Sequence, residues 1–270
     1  MVPNPPGKPV EVCAPDLDTT ATGRPDTLGV LGGMGPLATV DFLAKLVALT
    51  PASHDADHLP VLVYAVPQVP DRVAPILTGS GPSPLPALLA GIRSLVAAGA
   101  KAIALPCHTA HYWADDIAAA SPVPLLHIAD AAIAALEAVG LSGATVGIIG
   151  TRATWQAGIY QGRLGQRGFG VRTCSEAELE AAVLPAIALV KQGASERARP
   201  LFERAIATLL EDGADAVLLA CTEIPAAFAG HRLPARAIDG TEALARACVA
   251  WGLSQRGPES QRCMPHLRTV

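Results

Sequence analysis

Two cysteines carry the chemistry this sequence can offer. Cys107 stands in Leu105-Pro106-Cys107-His108-Thr109-Ala110-His111-Tyr112-Trp113, and Cys221 in Ala220-Cys221-Thr222-Glu223-Ile224-Pro225. Each ends an apolar run, and hydroxyl and ionisable side chains follow at once. The two runs echo one another. Gly99-Ala100-Lys101-Ala102-Ile103-Ala104-Leu105-Pro106-Cys107 matches Gly213-Ala214-Asp215-Ala216-Val217-Leu218-Leu219-Ala220-Cys221, with the thiol eight residues after the glycine in both. Cysteine is usually a small buried hydrophobe. Cys174 and Cys248 are read that way, and Cys13 and Cys263, near the chain ends, carry no argument. Thiols at matched strand ends admit three chemistries: a redox disulfide, a nucleophile with a spare, or a pair of proton carriers. A nucleophile needs one thiol and a base. A duplicated pair facing across a cleft suits stereoinversion at a carbon acid, where one thiolate removes a proton and the opposite thiol returns one. The thiolate pKa lies within reach of neutrality, and a nearby cation or helix N-terminus lowers it further. His111, one helical turn from Cys107, and Glu223, two residues beyond Cys221, are candidates to tune their neighbours.

Such side chains need elements to position them, and a parallel α/β sheet places ligands at the carboxyl ends of its strands. A first strand at 27–31 runs into Gly32-Gly33-Met34-Gly35-Pro36 and a helix at about 39–49, a turn whose free backbone N–H groups suit an anion. The glycines do not form G-x-G-x-x-G, and the second strand, 60–66, lacks the acidic end of a dinucleotide site, so a dinucleotide is disfavoured. Arg72 follows in the stiff segment Gln68-Val69-Pro70-Asp71-Arg72, either as a surface partner of Asp71 or as a carboxylate clamp. After a Gly/Pro/Ser loop at 79–86 come a helix at 88–98, the first cysteine strand, a helix from Cys107 to Ala120, a strand at 124–128 and a helix at 129–139. The pattern restarts at 144–151, which echoes 27–33. Helices are expected from about Thr154, at 176–189 and at 195–211, with Lys191 in the loop between the last two. The second cysteine strand, a strand at 235–239 and a helix at 241–253 complete the order. This repetition argues for duplicated halves.

Half of the residues are apolar and 16% are charged, which excludes disorder for most of the chain. The net charge of −4 and the lack of a Lys/Arg cluster give no case for nucleic acid. No run reads as membrane-spanning, and the first residues lack the apolar core of a secretory signal. Six cysteines in this setting fit reduced thiols in a cytoplasm. His54 and His58 are four apart, but Pro51 and Pro60 flank them in a polar loop, and no metal site is expected.

The combination GVLGGMGPLAT, QVPDR, PCHTAHYW and LLACTEIP resembles the cofactor-independent aspartate/glutamate racemase family, most closely its aspartate racemase branch. The resemblance covers about 28–253. It implies two similar α/β domains, each with a central four-stranded parallel sheet flanked by helices, facing each other across an active-site cleft. It places 27–124 plus 235–254 in the first domain and 125–234 in the second, with tails at 1–26 and 255–270. It also implies an acid/base pair, Cys107 and Cys221, and Arg72 and Lys191 as partners of the substrate carboxylates. Met34, Thr109 and Thr222 would add hydrogen bonds. A homodimer acting on a small dicarboxylic amino acid, without pyridoxal phosphate or metal, completes the expectation. The chain departs from the family at His108, where asparagine is usual. A histidine there titrates near neutrality, and in its protonated form it would favour the Cys107 thiolate. Maleate isomerisation, malonate decarboxylation and a non-catalytic amino-acid-binding or thiol-sensing role are the alternatives.

Overall fold

The computed structural model describes residues 26–256. The expected tails, with Cys13 and Cys263, fall outside this range except for residues 26, 255 and 256. The first half runs β1 (Thr27–Gly32), α1 (Pro36–Leu49), β2 (Val61–Ala65), α2 (Val73–Thr78), α3 (Leu85–Ala97), β3 (Ala100–Ala104), a 3₁₀ turn (Thr109–Trp113), α4 (Ala114–Ala120) and β4 (Leu125–Leu126). After α5 (Ile128–Ala138) come β5 (Thr145–Gly150), α6 (Arg152–Gln156), α7 (Gln161–Gln166) and β6 (Gly170–Thr173). α8 (Glu176–Glu178), a π-helical turn (Leu179–Val183) and α9 (Leu184–Lys191) form one unbroken helical run. α10 (Ser195–Glu211), β7 (Ala216–Ala220), α11 (Glu223–Ala226), β8 (Ala237–Asp239) and α12 (Gly240–Ser254) follow.

The strands form two four-stranded, wholly parallel sheets, ordered β2-β1-β3-β4 and β6-β5-β7-β8. The same order in both sheets bears out the duplication and the α/β class. The central strands β1, β3, β5 and β7 are almost entirely buried. That explains why they read as continuous apolar runs rather than alternating ones. Each sheet is covered on both faces. Phe42 and Leu46 of α1 pack with Leu244 and Cys248 of α12 under the first sheet, and Leu88, Ile92 and Ile117 lie over its other face. In the second half, Ile133, Leu136 and Tyr160 cover one face, and Ile187, Phe202, Ile206 and Leu209 the other.

Several expectations need correction. Gly170–Thr173 is a strand that the sequence reading passed over, because it is a short, half-exposed edge whose alternation spans only two periods. α2 occupies residues between the Pro-Asp-Arg segment and the expected loop, where no element was expected, and Pro75 is tolerated because it falls in the first helical turn. The segment after Cys107 enters its helix through a 3₁₀ turn. Lys191 is the last residue of α9 and not a loop residue. The strand at 237–239, expected with the first domain, pairs with β7 in the second sheet, whereas α12 packs against α1 and β1 of the first half and against α5 on the second-sheet side. Leu125–Leu126, expected in the second domain, completes the first sheet beside β3. Among the described residues, no helix is long and apolar enough to cross a membrane.

Candidate active site

The carboxyl ends of strands from both sheets converge on one cavity of about 40 Å³. Met34 reaches it from the turn after β1, and Asp71, Arg72 and Val73 from the segment after β2. Cys107, His108 and Thr109 follow β3, Thr151 follows β5, Cys221, Thr222 and Glu223 follow β7, and Lys191 comes from the end of α9. The eight residues expected to act on or bind the substrate therefore border the same space, as does Glu223, whereas His111 does not. Asp71, Val73, Thr151 and Glu223 complete the lining. Thr151 had a legible signal, since in the repeated pattern it occupies the place of Gly33.

The two thiols share burial but differ in surroundings. Cys107 is buried, and desolvation pushes its pKa up, opposed by the Arg72 guanidinium beside it and by a backbone hydrogen bond from Ala110. Cys221 is raised well above the usual thiol value, first by burial and then by the Glu223 carboxylate. Its Sγ donates to Glu223 Oε2 at 3.0 Å, so the contact favours the protonated form. Thr222 Oγ1 also donates to Oε2, at 3.3 Å, and Lys191 Nζ lies 3.9 Å from Oε1. The site is thus electrostatically lopsided: the cation beside Cys107 favours thiolate, and the carboxylate beside Cys221 favours thiol. Replacing Glu223 by glutamine removes the like charge and leaves only a neutral amide as hydrogen-bond partner, so Cys221 should ionise more readily. The expected result is a shift to lower pH in the alkylation profile of Cys221 by iodoacetamide, located by mass spectrometry. An unmoved profile would show that burial alone sets this thiol.

Arg72 is half-buried, and its Nη1 donates to the Val69 and Pro70 carbonyls at 3.2 and 3.1 Å. Asp71 instead accepts from the amides of Val73 and Ala74 at 3.1 and 2.8 Å and so caps α2. Asp71 is engaged at the helix start, and the guanidinium is turned to the cavity rather than spent on a surface pair.

The histidines behave differently from the expectation. Burial pulls His108 down to about 3, so the ring beside Cys107 is neutral and supplies no charge to the thiolate. Its Nδ1 meets Tyr160 Oη at 2.5 Å, and the ring lies against Gly240, where an added Cβ would meet Cε1 at 2.6 Å. His108 borders the cavity, but its ring is committed to the second half. His111 is also neutral, pulled down to about 3 chiefly by burial. Its Nδ1 bonds the Cys107 carbonyl at 2.9 Å, and its Nε2 accepts the Ile128 amide at 3.2 Å. It therefore fixes the backbone under Cys107 rather than tuning the sulfur. Thr109 Oγ1 adds hydrogen bonds to Thr154 and Thr151 of the second half at 3.1 and 3.3 Å. Cys174 and Cys248 are buried in the cores, as read from the sequence. Among the described residues, no cluster of three or more metal-ligating side chains occurs.

Comparison with known proteins adds to this geometry. The family model for Asp/Glu/Hydantoin racemase matches residues 31–248. The broad specificity amino-acid racemase RacX of Bacillus subtilis is 29% identical over 227 residues, covering 83% of this chain and 96% of that protein. The solved structure of Picrophilus torridus aspartate racemase is 30% identical with a TM-score of 0.74, covering 87% of this chain and 98% of that one. An aspartate racemase homologue from Pyrococcus horikoshii OT3, 20% identical with a TM-score of 0.67, covers 84% of this chain and 99% of its own and shares the fold.

Proposed function

The chain belongs to the Asp/Glu/Hydantoin racemase family, an amino-acid racemase by its relatives, and we propose that it inverts the α-carbon of an acidic amino acid, aspartate first and glutamate second. The observation that carries this reading is the single cavity bordered by Cys107 and Cys221, with Arg72 beside one thiol and Glu223 beside the other. The Cys107 thiolate removes the proton from Cα, and the C–H electron pair moves into the α-carboxylate. Cys221 delivers its proton to the opposite face of the same carbon. Cys107 ends as thiol and Cys221 as thiolate, and the reverse reaction or exchange with solvent restores the starting state. Arg72 and Lys191 hold the carboxylates, and Arg72 with the backbone at Met34 stabilises the charge that develops as the proton leaves. Met34, Thr109 and Thr222 contribute hydrogen bonds at the rim.

A 40 Å³ cavity has room for a few waters but not for an amino acid, so the halves part to admit substrate and close over it. Closure excludes water and strengthens each contact with the carbanion. The proposal includes a cytoplasmic homodimer working without pyridoxal phosphate or metal, as the family resemblance implies. The test is incubation of the purified chain with L-aspartate in deuterated water. Decay of optical rotation together with deuterium at Cα is the expected result. Absence of both, with L- and D-aspartate and with glutamate, would sink the proposal.

A further inference from the structure

One side chain ties the two thiol-bearing strands together. His108 follows Cys107 at the end of β3, and its ring crosses to the second half. Nδ1 meets Oη of the fully buried Tyr160 at 2.5 Å, with the two rings tilted at 41° and their centroids 5.8 Å apart. The ring also rests on Gly240, where α12 begins. A Cβ on Gly240 would meet His108 Cε1 at 2.6 Å and Nε2 at 3.3 Å, and the Leu219 carbonyl oxygen at 3.1 Å. Leu219 lies on β7, just before Ala220 and Cys221. From Cys107 to Cys221 the path thus runs through one imidazole ring and one glycine.

We propose that His108 is a positioning residue: its ring, seated on Tyr160 and Gly240, is the spacer that holds the two sulfurs at the separation needed to reach both faces of one carbon. The proposal rests on the two-thiol reading of the cavity. Three observations carry it. The ring is buried, and its Nε2 has no hydrogen-bond partner among the described residues, so the Tyr160 hydroxyl and close packing alone hold it. An unpaired buried nitrogen is costly to keep, and a smaller side chain would avoid it. The repeat does not require the ring, because the matching place after Cys221 is held by Thr222. The backbone that carries the ring also carries the sulfur. The His108 carbonyl accepts the His111 amide at 3.0 Å, and His111 Nδ1 bonds the Cys107 carbonyl at 2.9 Å, so a displaced ring turns Cys107 with it. A specific failure follows from this role. A sulfur held too far from Cα cannot deliver its proton, while removal by the opposite sulfur continues, so inversion falls more than exchange.

The experiment follows L-aspartate, or L-glutamate where that is faster, on the full chain in deuterated water. Chiral chromatography with mass spectrometry gives kcat, KM and the inverted share of the deuterated amino acid. Tyr160→Phe keeps the ring volume and removes the hydroxyl that seats His108. It should lower kcat for inversion by roughly ten- to a hundredfold, the scale of a misplaced reacting group, with KM within about twofold of wild type and a reduced inverted share. Gly240→Ala should do the same by pushing the ring, and His108→Asn by removing it. In the His108→Asn background, alanine at position 240 should cost a further factor of about two or less, since the two changes act on one contact. Melting curves by circular dichroism establish that each variant is folded, and Tyr160→Phe decides alone if Gly240→Ala is not. An unchanged inversion rate in Tyr160→Phe overturns the proposal, as does a lower rate with the inverted share still at its wild-type value. A Gly240→Ala loss of equal size with and without His108 also overturns it. Absence of exchange in the wild type with both amino acids strikes at the racemase reading itself and takes the proposal with it.

Discussion

Cys107→Ala and Cys221→Ala should each lower the interconversion of the enantiomers by on the order of 10²–10⁴-fold, the contribution of a positioned proton carrier, which takes it below detection in a polarimetric assay. The loss of turnover is the smaller part of the expectation. Inversion needs two faces, but proton removal needs one. Each single variant should therefore keep a residual deuterium exchange with one enantiomer only, and the favoured enantiomer should be opposite in the two variants. Cys107 has a guanidinium beside it and Cys221 a carboxylate. The chain that retains Cys107 should consequently exchange faster than the chain that retains Cys221. Full racemisation by either variant would refute the two-base scheme. Loss of exchange with both enantiomers in both variants would show that neither thiol removes a proton without the other in place.

The parts of this site that could be read in the sequence are those set by one strand and the turn after it. Cys107 and Cys221 stood out because β3 and β7 are buried on both faces, so each appears as an apolar run with an abrupt polar end. The duplication of the two halves was legible in the repeat for the same reason, whereas the strand order within each sheet was not. What stayed hidden depends on how the two halves meet. No local pattern shows that the ring of His108 is taken up by Tyr160, or that His111 spans from the Cys107 carbonyl to the Ile128 amide. Both rings look like titrating neighbours of a thiol until burial is known, and burial is what makes them neutral. Glu223 could be read as a helix cap or a tuning group. It begins α11 but makes no capping hydrogen bond there, and its carboxylate accepts the Cys221 thiol instead, so the tuning description is the one that fits. The edge strand β6 and the placing of β8 in the second sheet escaped because short edges leave little periodicity, and strand partners are a tertiary property.

Arg72→Met should cost kcat/KM on the order of 10²–10³-fold, comparable to removing one preorganised donor from a site that stabilises developing negative charge. Two separable effects contribute. The first is lost anchoring: methionine has similar length but no fork to grip a carboxylate, so KM rises. The second acts through the thiol. Burial raises the Cys107 pKa, and the adjacent guanidinium is the leading influence that brings it down. Without that cation the thiol holds its proton to higher pH. Activity that needs Cys107 as thiolate rises as pH climbs through its pKa, so raising the pKa moves the acid-side limb of the kcat profile toward alkaline pH. Glu223→Gln acts in the opposite sense on Cys221. Activity that needs Cys221 as thiol falls as pH passes its pKa, so lowering that pKa brings the alkaline limb to lower pH. Opposite displacements of the two limbs, each confined to one variant, would assign base and acid to the two sulfurs in this direction of reaction. Arg72→Lys separates the contributions further, since it keeps a positive charge but loses the fork. The limb should move less than in Arg72→Met, while KM stays high. A KM restored to wild type by lysine would show that Arg72 acts as a point charge and does not clamp a carboxylate.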